Sequence, residues 1–188
     1  IEIAMVADLD VARAKAIVGD RIEVVADARA VIAKPAIDIV VELIGGTGIA
    51  RTLVLEAIAQ GKHVVTANKA LLAVHGNEIF AAARERGVMV AFEAAVAGGI
   101  PIIKALREGL TANRIEWIAG IINGTTNFIL SEMRSKGKSF DEVLKEAQQL
   151  GYAEADPTFD IEGIDAAHKL TIMSAIAFGV PMQFDKVY

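Results

Sequence analysis

The run Ile37–Ile44 (IDIVVELI), closed by Gly45-Gly46-Thr47-Gly48, constrains the fold more than any other stretch of this chain. It is the strongest strand signal present, and it is not alone. Apolar runs at Ile1–Ala7, Ile22–Ala26, Lys62–Thr66 and Val88–Phe92 alternate with helix-like segments at Val11–Val18, a segment ending at Ala33, Ile49–Gln60 and Leu71–Arg86. Asp27 is placed to cap the second of these helices, and Gly61 and Gly87 stand at the ends of the last two. Strands of about four to eight residues alternating with helices of about ten or more build βαβ units and a parallel sheet covered on both faces. Residues 1–93 therefore read as a doubly wound, nucleotide-binding α/β domain of Rossmann-like type.

After Glu93 the pattern changes. Ala94–Ile100 is a loop of small residues, and Pro101 stands where a first helical residue would, ahead of a helix to about Gly109. Arg114–Ile122 (RIEWIAGII) is a strand candidate. Asn123-Gly124-Thr125-Thr126 supplies N-cap chemistry for a helix to Lys136, and Ser139-Phe140-Asp141-Glu142 a capping box for one ending at Leu150. Residues 94–188 are expected to form a separate α+β unit.

A dinucleotide domain carries G-x-G-x-x-G between its first strand and first helix, and no such motif occurs here. The glycines at 45, 46 and 48 follow a strand but have the wrong spacing. The expectation is a fragment that begins at the second strand of an incomplete sheet, lacks its C-terminal part as well, and is inactive on its own. In the strand order 3-2-1-4-5-6 the absent strand lies between Ile1–Ala7 and Ile37–Ile44, leaving unpaired apolar edges that a stable monomer avoids. Asp8 then ends the second strand, where an acidic residue bonds the adenine ribose.

Composition excludes several functions. Net charge is −5, which argues against nucleic acid or an acidic membrane as a partner. No apolar run reaches the ~18 residues of a membrane span. The chain has no Cys, so thiol nucleophiles, thiolate metal sites and disulfides are out, and a reducing cytoplasm suits it.

The chemistry concentrates in Gly151–Leu170 (GYAEADPTFDIEGIDAAHKL), which holds five carboxylates, a His and a Lys. From Ile161 onward the apolar spacing is that of a helix, with Asp165 and Lys169 one turn apart at the margin of its apolar face and His168 within it, as a core histidine. Three readings fit the spacing: a solvated acidic loop followed by an i, i+4 ion pair; an acidic loop binding a hard cation; and a carbonyl-reducing site with Lys169 as the acid. Thr66-Ala67-Asn68-Lys69-Ala70, between a strand and a helix, offers backbone donors and a Lys to a ligand.

Five motifs occur together in order: VELIGG (Val41–Gly46), GKHVVTANKALLA (Gly61–Ala73), FEAAVAGGIPIIKALREGL (Phe92–Leu110), GIINGTTNFIL (Gly120–Leu130) and the acidic stretch. In these the chain resembles homoserine dehydrogenase along almost its whole length. The resemblance implies NAD- or NADP-dependent interconversion of L-homoserine and L-aspartate 4-semialdehyde, on the route to threonine and methionine. It implies Lys169 as the proton donor, with Lys69 at the cofactor–substrate junction. Glu154, Asp160 and Asp165 match the substrate site, where Glu154 and Asp165 hold the amino group. Asp8, Gly45, Gly46, Thr66 and Lys69 fall to the cofactor. Glu93 with the backbone near Val96, Gly98 and Ile100 matches a monovalent cation site (Na⁺ or K⁺) at the domain junction. A homodimer in the cytoplasm is the family expectation. Ala7 stands where the family often has an Arg that favours NADP, so Ala7-Asp8 leans towards NAD, with Arg13 or Lys15 within possible reach of a 2′-phosphate. Aspartate-semialdehyde dehydrogenase, the neighbouring enzyme, uses a Cys nucleophile that is absent here. A non-catalytic module that keeps the fold is the alternative of another class. It has no need of Glu154, Asp165 and Lys169 together.

Overall fold

The computed structural model describes all residues, Ile1–Tyr188, and they separate into two compact units, Ile1–Ile100 and Pro101–Tyr188. In the first, strands β1 (Met5–Ala7), β2 (Glu23–Val25), β3 (Ile39–Glu42), β4 (His63–Thr66) and β5 (Val90–Ala91) alternate with helices α1 (Val11–Val18), α2 (Ala28–Ala33), α3 (Ile49–Ala59) and α4 (Lys69–Arg86). Every pairing is parallel. β1 pairs with β2, Met5 opposite Glu23, while β3, β4 and β5 form a second sheet in that order, with Ile39 opposite His63 and Val64 opposite Val90. No strand of this chain joins β1 to β3, the two that the order 3-2-1-4-5-6 separates by one strand. Ile39 and Val41 of β3 remain 46% and 59% exposed, an apolar strand surface that is left uncovered.

Helix ends follow local chemistry. Asp10 accepts from the Arg13 backbone N–H (2.9 Å), Asp27 from Arg29 (2.9 Å) and Asn68 from Leu71 (3.0 Å), each satisfying a first-turn donor that has no helical partner. With Asn68 as cap, α4 starts at Lys69 rather than Leu71. Gly87 ends it in the left-handed conformation (φ 68°). The core lies between the sheets and helices: Leu53, Val54 and Ile58 of α3, and Leu71, Leu72 and Ile79 of α4, are almost wholly buried. Lys62 is buried as well, its ammonium donating to the carbonyls of Lys34 (2.8 Å) and Ile37 (2.6 Å) and so closing the α2–β3 connection. The sequence places the end of this unit after Glu93. In the structure Glu93–Ala95 is a 3₁₀ turn beside β4, and Ala95 and Val96 are buried, so the compact unit runs on to Ile100.

The second unit is helical. α5 (Ile102–Lys104) opens into a π turn at Ala105–Gly109, and α6 (Gly124–Lys136), α7 (Phe140–Gln149), α8 (Thr158–Ile161) and α9 (Ile164–Phe178) follow. Pro101 is the cap of α5 rather than its first residue. α6 packs on α7 through Ile129, Val143 and Ala147, joined by Ala153, with Phe128, Met133 and Leu144 around them. The expected capping box at Ser139 is present, Ser139 and Glu142 each bonding the other's backbone N–H.

Two expectations need correction. Arg114–Ile122 forms no strand, because no other strand in this unit offers it a ladder, and Trp117 and Ile121 stay 73% and 77% exposed. The helix carrying Lys169 does not begin at Ile161. Gly163, at φ 72°, interrupts the backbone, so Ile161 ends α8 and α9 begins at Ile164.

Candidate active site

Ligands of a parallel α/β sheet meet it at the carboxyl ends of its strands. At the end of β3 stands Glu42, an acid in an apolar strand, 4% exposed. Its Oε1 accepts from the backbone N–H of Ile44 (2.7 Å) and Gly45 (3.2 Å), and its Oε2 from the Thr66 hydroxyl (2.6 Å) at the end of β4. Thr66 Oγ1 accepts in turn from the Asn68 N–H (3.0 Å), and Asn68 Nδ2 donates to the Gly46 carbonyl (2.7 Å). One buried carboxylate thus ties the Gly45-Gly46 turn, Thr66 and the start of α4 into a single rim. Both glycines hold positive φ (81° and 67°), a conformation that favours glycine, and without side chains the turn leaves its backbone open to a ligand. Lys69, half-buried, is the first residue of α4. The structure therefore brings together Gly45, Gly46, Thr66 and Lys69. Asp8 belongs to the other sheet, exposed just past β1, with its Oδ1 accepting from the Asp10 N–H (2.8 Å).

In the second unit Lys169 projects from α9 with its side chain 18% exposed. Its Nζ donates to Asp165 Oδ2 (2.6 Å), one turn earlier, and to the carbonyl of Ile122 (2.6 Å) just ahead of α6. Asp165 Oδ2 also accepts from Asn123 Nδ2 (2.9 Å), and the same Nδ2 donates to Asp160 Oδ1 (2.7 Å) on α8. An ion pair this deep bears a desolvation cost, offset here by the amide and the carbonyl that complete its hydrogen bonding. An ammonium has three N–H donors, and these two bonds take two of them. The third can serve a substrate oxygen.

Of the predicted residues in this unit, Asp160, Asp165 and Lys169 form one bonded group. Glu154 is exposed and makes none of these bonds; its backbone carbonyl accepts from Gln148 Nε2 (3.1 Å). His168 is 4% exposed, between the rings of Phe159 (5.7 Å) and Phe184 (4.6 Å), a core position. Asp156 turns back on the loop: the Thr158 hydroxyl (2.6 Å), then the Thr158 N–H (3.1 Å), hold its carboxyl below the usual range. No three His, Cys, Asp or Glu side chains gather as a metal site. Glu93 opens the 3₁₀ turn, half-buried, while Val96 is buried and Gly98 and Ile100 are exposed. Between them Ala97 (φ 60°) and Gly98 (φ 55°) are both left-handed, so the chain doubles back there.

Two residues escape sequence reasoning. Glu42 carries a signal, a lone acid inside an apolar strand. Asn123 signals an N-cap, with a ligand-binding turn at Asn123–Asn127 as the other reading; its acidic partners lie 37 and 42 residues away, and only the fold brings them into reach.

Comparison with known proteins matches residues 1–93 to the family of the homoserine dehydrogenase NAD binding domain and residues 101–188 to homoserine dehydrogenase. Homoserine dehydrogenase of Pseudomonas aeruginosa is 74% identical over 165 residues, covering 88% of this chain and 38% of its own length. That of Methylobacillus glycogenes is 60% identical over 94% of this chain and 43% of itself. The crystal structure of a homoserine dehydrogenase from Thiobacillus denitrificans superposes with a TM-score of 0.93 at 71% identity, covering 98% of this chain and 43% of that one. A hyperthermophilic archaeal homoserine dehydrogenase in complex with NADPH matches at 27% identity and a TM-score of 0.74, covering 95% of this chain and 70% of that one. The chain spans about two fifths of the length of the curated relatives it matches.

Proposed function

The chain belongs to the homoserine dehydrogenase family, and from that premise we propose that the whole protein interconverts L-homoserine and L-aspartate 4-semialdehyde with NAD or NADP. The observation that carries this reading is the Lys169 ammonium, fixed by Asp165 and the Ile122 carbonyl with a third donor for substrate. In the reducing direction negative charge develops on the aldehyde oxygen. Lys169 meets that charge and donates the proton, a contribution of about 10² to 10⁴. Asp165, bonded to Lys169 at 2.6 Å, holds the ammonium in place. Asp165 and Asp160, with Glu154 on the neighbouring loop, supply negative charge for the substrate's own ammonium, which orients the carbonyl.

The rim at the ends of β3 and β4 suits a dinucleotide: backbone free of side chains at Gly45 and Gly46, polar groups at Thr66 and Asn68, and a cation at Lys69. The cofactor supplies the hydride. Thr66 and Lys69 would hold it and Asp8 its ribose, with Ala7-Asp8 favouring NAD. Glu93, with carbonyls at Val96, Gly98 and Ile100 along the doubled-back segment, would hold Na⁺ or K⁺. The pathway assignment to threonine and methionine synthesis and the cytoplasmic homodimer rest on the family resemblance. No helix is long and apolar enough to cross a membrane.

The test is homoserine oxidation by the complete protein with NAD and NADP separately, with and without Na⁺ and K⁺. Turnover with at least one nucleotide is expected. No turnover with either, in folded protein, overturns the reading.

A further inference from the structure

We propose that Asn123 is a positioning residue that makes the site selective for amino-bearing substrates. This deepens the dehydrogenase reading above and rests on it. Asn123 is 9% exposed, and its side chain uses its whole hydrogen-bonding capacity. Oδ1 accepts from the Thr126 N–H (2.8 Å) and the Thr126 hydroxyl (2.9 Å), capping α6. Nδ2 donates to Asp160 (2.7 Å) and Asp165 (2.9 Å). The orientation of the amide follows from its partners, since the reverse would aim an oxygen at two carboxylates and an NH₂ at a backbone donor.

The two acids come from different elements, Asp160 from α8 and Asp165 from α9, and like charges this close repel unless a donor stands between them. Asn123 is that donor. Its backbone neighbour Ile122 accepts from Lys169, so one dipeptide fixes both the ammonium and the acid that partners it. A side chain that only capped α6 could be Ser, Thr or Asp. Ser and Thr end their polar reach where the amide carbon stands and have one proton, so neither bridges both acids. Asp would add a third carboxylate. Of the good caps, only Asn also bridges.

The acids held by Asn123 face the substrate's ammonium, so loosening them weakens recognition of that group more than recognition of the alcohol. The experiment is Asn123→Ser in the complete enzyme, with kcat/KM measured for homoserine and for 4-hydroxybutanoate, the same alcohol without its amino group. The preference for homoserine is expected to fall about tenfold, the scale of a lost hydrogen bond to a charged group, with KM for the nucleotide unchanged. An unchanged preference, whether both substrates slow equally or neither slows, overturns the role of Asn123. A parent enzyme that turns over neither substrate overturns the dehydrogenase reading instead. Asn123→Thr, also a capable cap, carries the same prediction should the serine variant fail to fold.

Discussion

Replacing Glu42 separates the structural contribution of the β3–β4 rim from everything else in the first unit. Glu42→Ala leaves three donors without their acceptor: the Thr66 hydroxyl and the N–H groups of Ile44 and Gly45. Bonds to a charged acceptor contribute about 1.5–3 kcal/mol each. Thr66 is 2% exposed and bears its loss in full, whereas Ile44 and Gly45 are exposed and can bond water instead. Recovering the solvation of a buried acid offsets part of the loss. The net expectation is a destabilisation of about 2–4 kcal/mol. Glu42→Gln keeps an acceptor for Ile44 and Gly45 and turns an NH₂ towards Thr66, so it should cost only about 1 kcal/mol. Urea denaturation followed by circular dichroism gives both values. Amide exchange at Thr66–Leu71 reports the local opening, faster in the alanine variant. An alanine variant within about 0.5 kcal/mol of the parent, or a glutamine variant as damaged as the alanine one, refutes the account of Glu42 as the tie between the two strand ends.

Other consequences are equally direct. Lys62→Met removes the ammonium from the carbonyls of Lys34 and Ile37 and should destabilise the first unit by about 2 kcal/mol in the same urea assay. Asp156 has its folded-state carboxyl lowered from the usual 3.8, chiefly by the Thr158 hydroxyl and then by the Thr158 N–H. A lowered folded value means that its stabilisation is present above 3.8 and is lost as pH falls through the still lower folded value. The stability gap between parent and Asp156→Asn should therefore be open at neutral pH and close in acid below that point, as read by thermal melts across the pH range.

How far the sequence carries depends on whether the deciding contact is local. The alternation of strands and helices in 1–93, and the caps at Asp27 and Ser139, depend on neighbours a few residues apart, and the structure has them. Arg114–Ile122 has the composition of a strand, but a strand exists only through its partner, and propensity cannot supply one. Across Gly163 the apolar spacing continues without a break while the backbone turns, so Ile161 falls on the face of a helix to which it does not belong. In the site, the Asp165–Lys169 pair is legible as an i, i+4 step on one helix. The bonds from Asn123 to Asp160 and Asp165 are not legible, because they join residues far apart in sequence. Glu42 could have been noticed from its apolar surroundings, but its partners across β3 and β4 could not.

The central claim is that Lys169 donates the proton to the substrate oxygen. Lys169→Met keeps most of the side chain's length and removes the ammonium. In the complete enzyme, kcat for aspartate semialdehyde reduction should fall by at least about 10² while nucleotide affinity, read by fluorescence titration, stays within about twofold. A methionine variant that reduces the aldehyde at a rate near that of the parent would contradict the account.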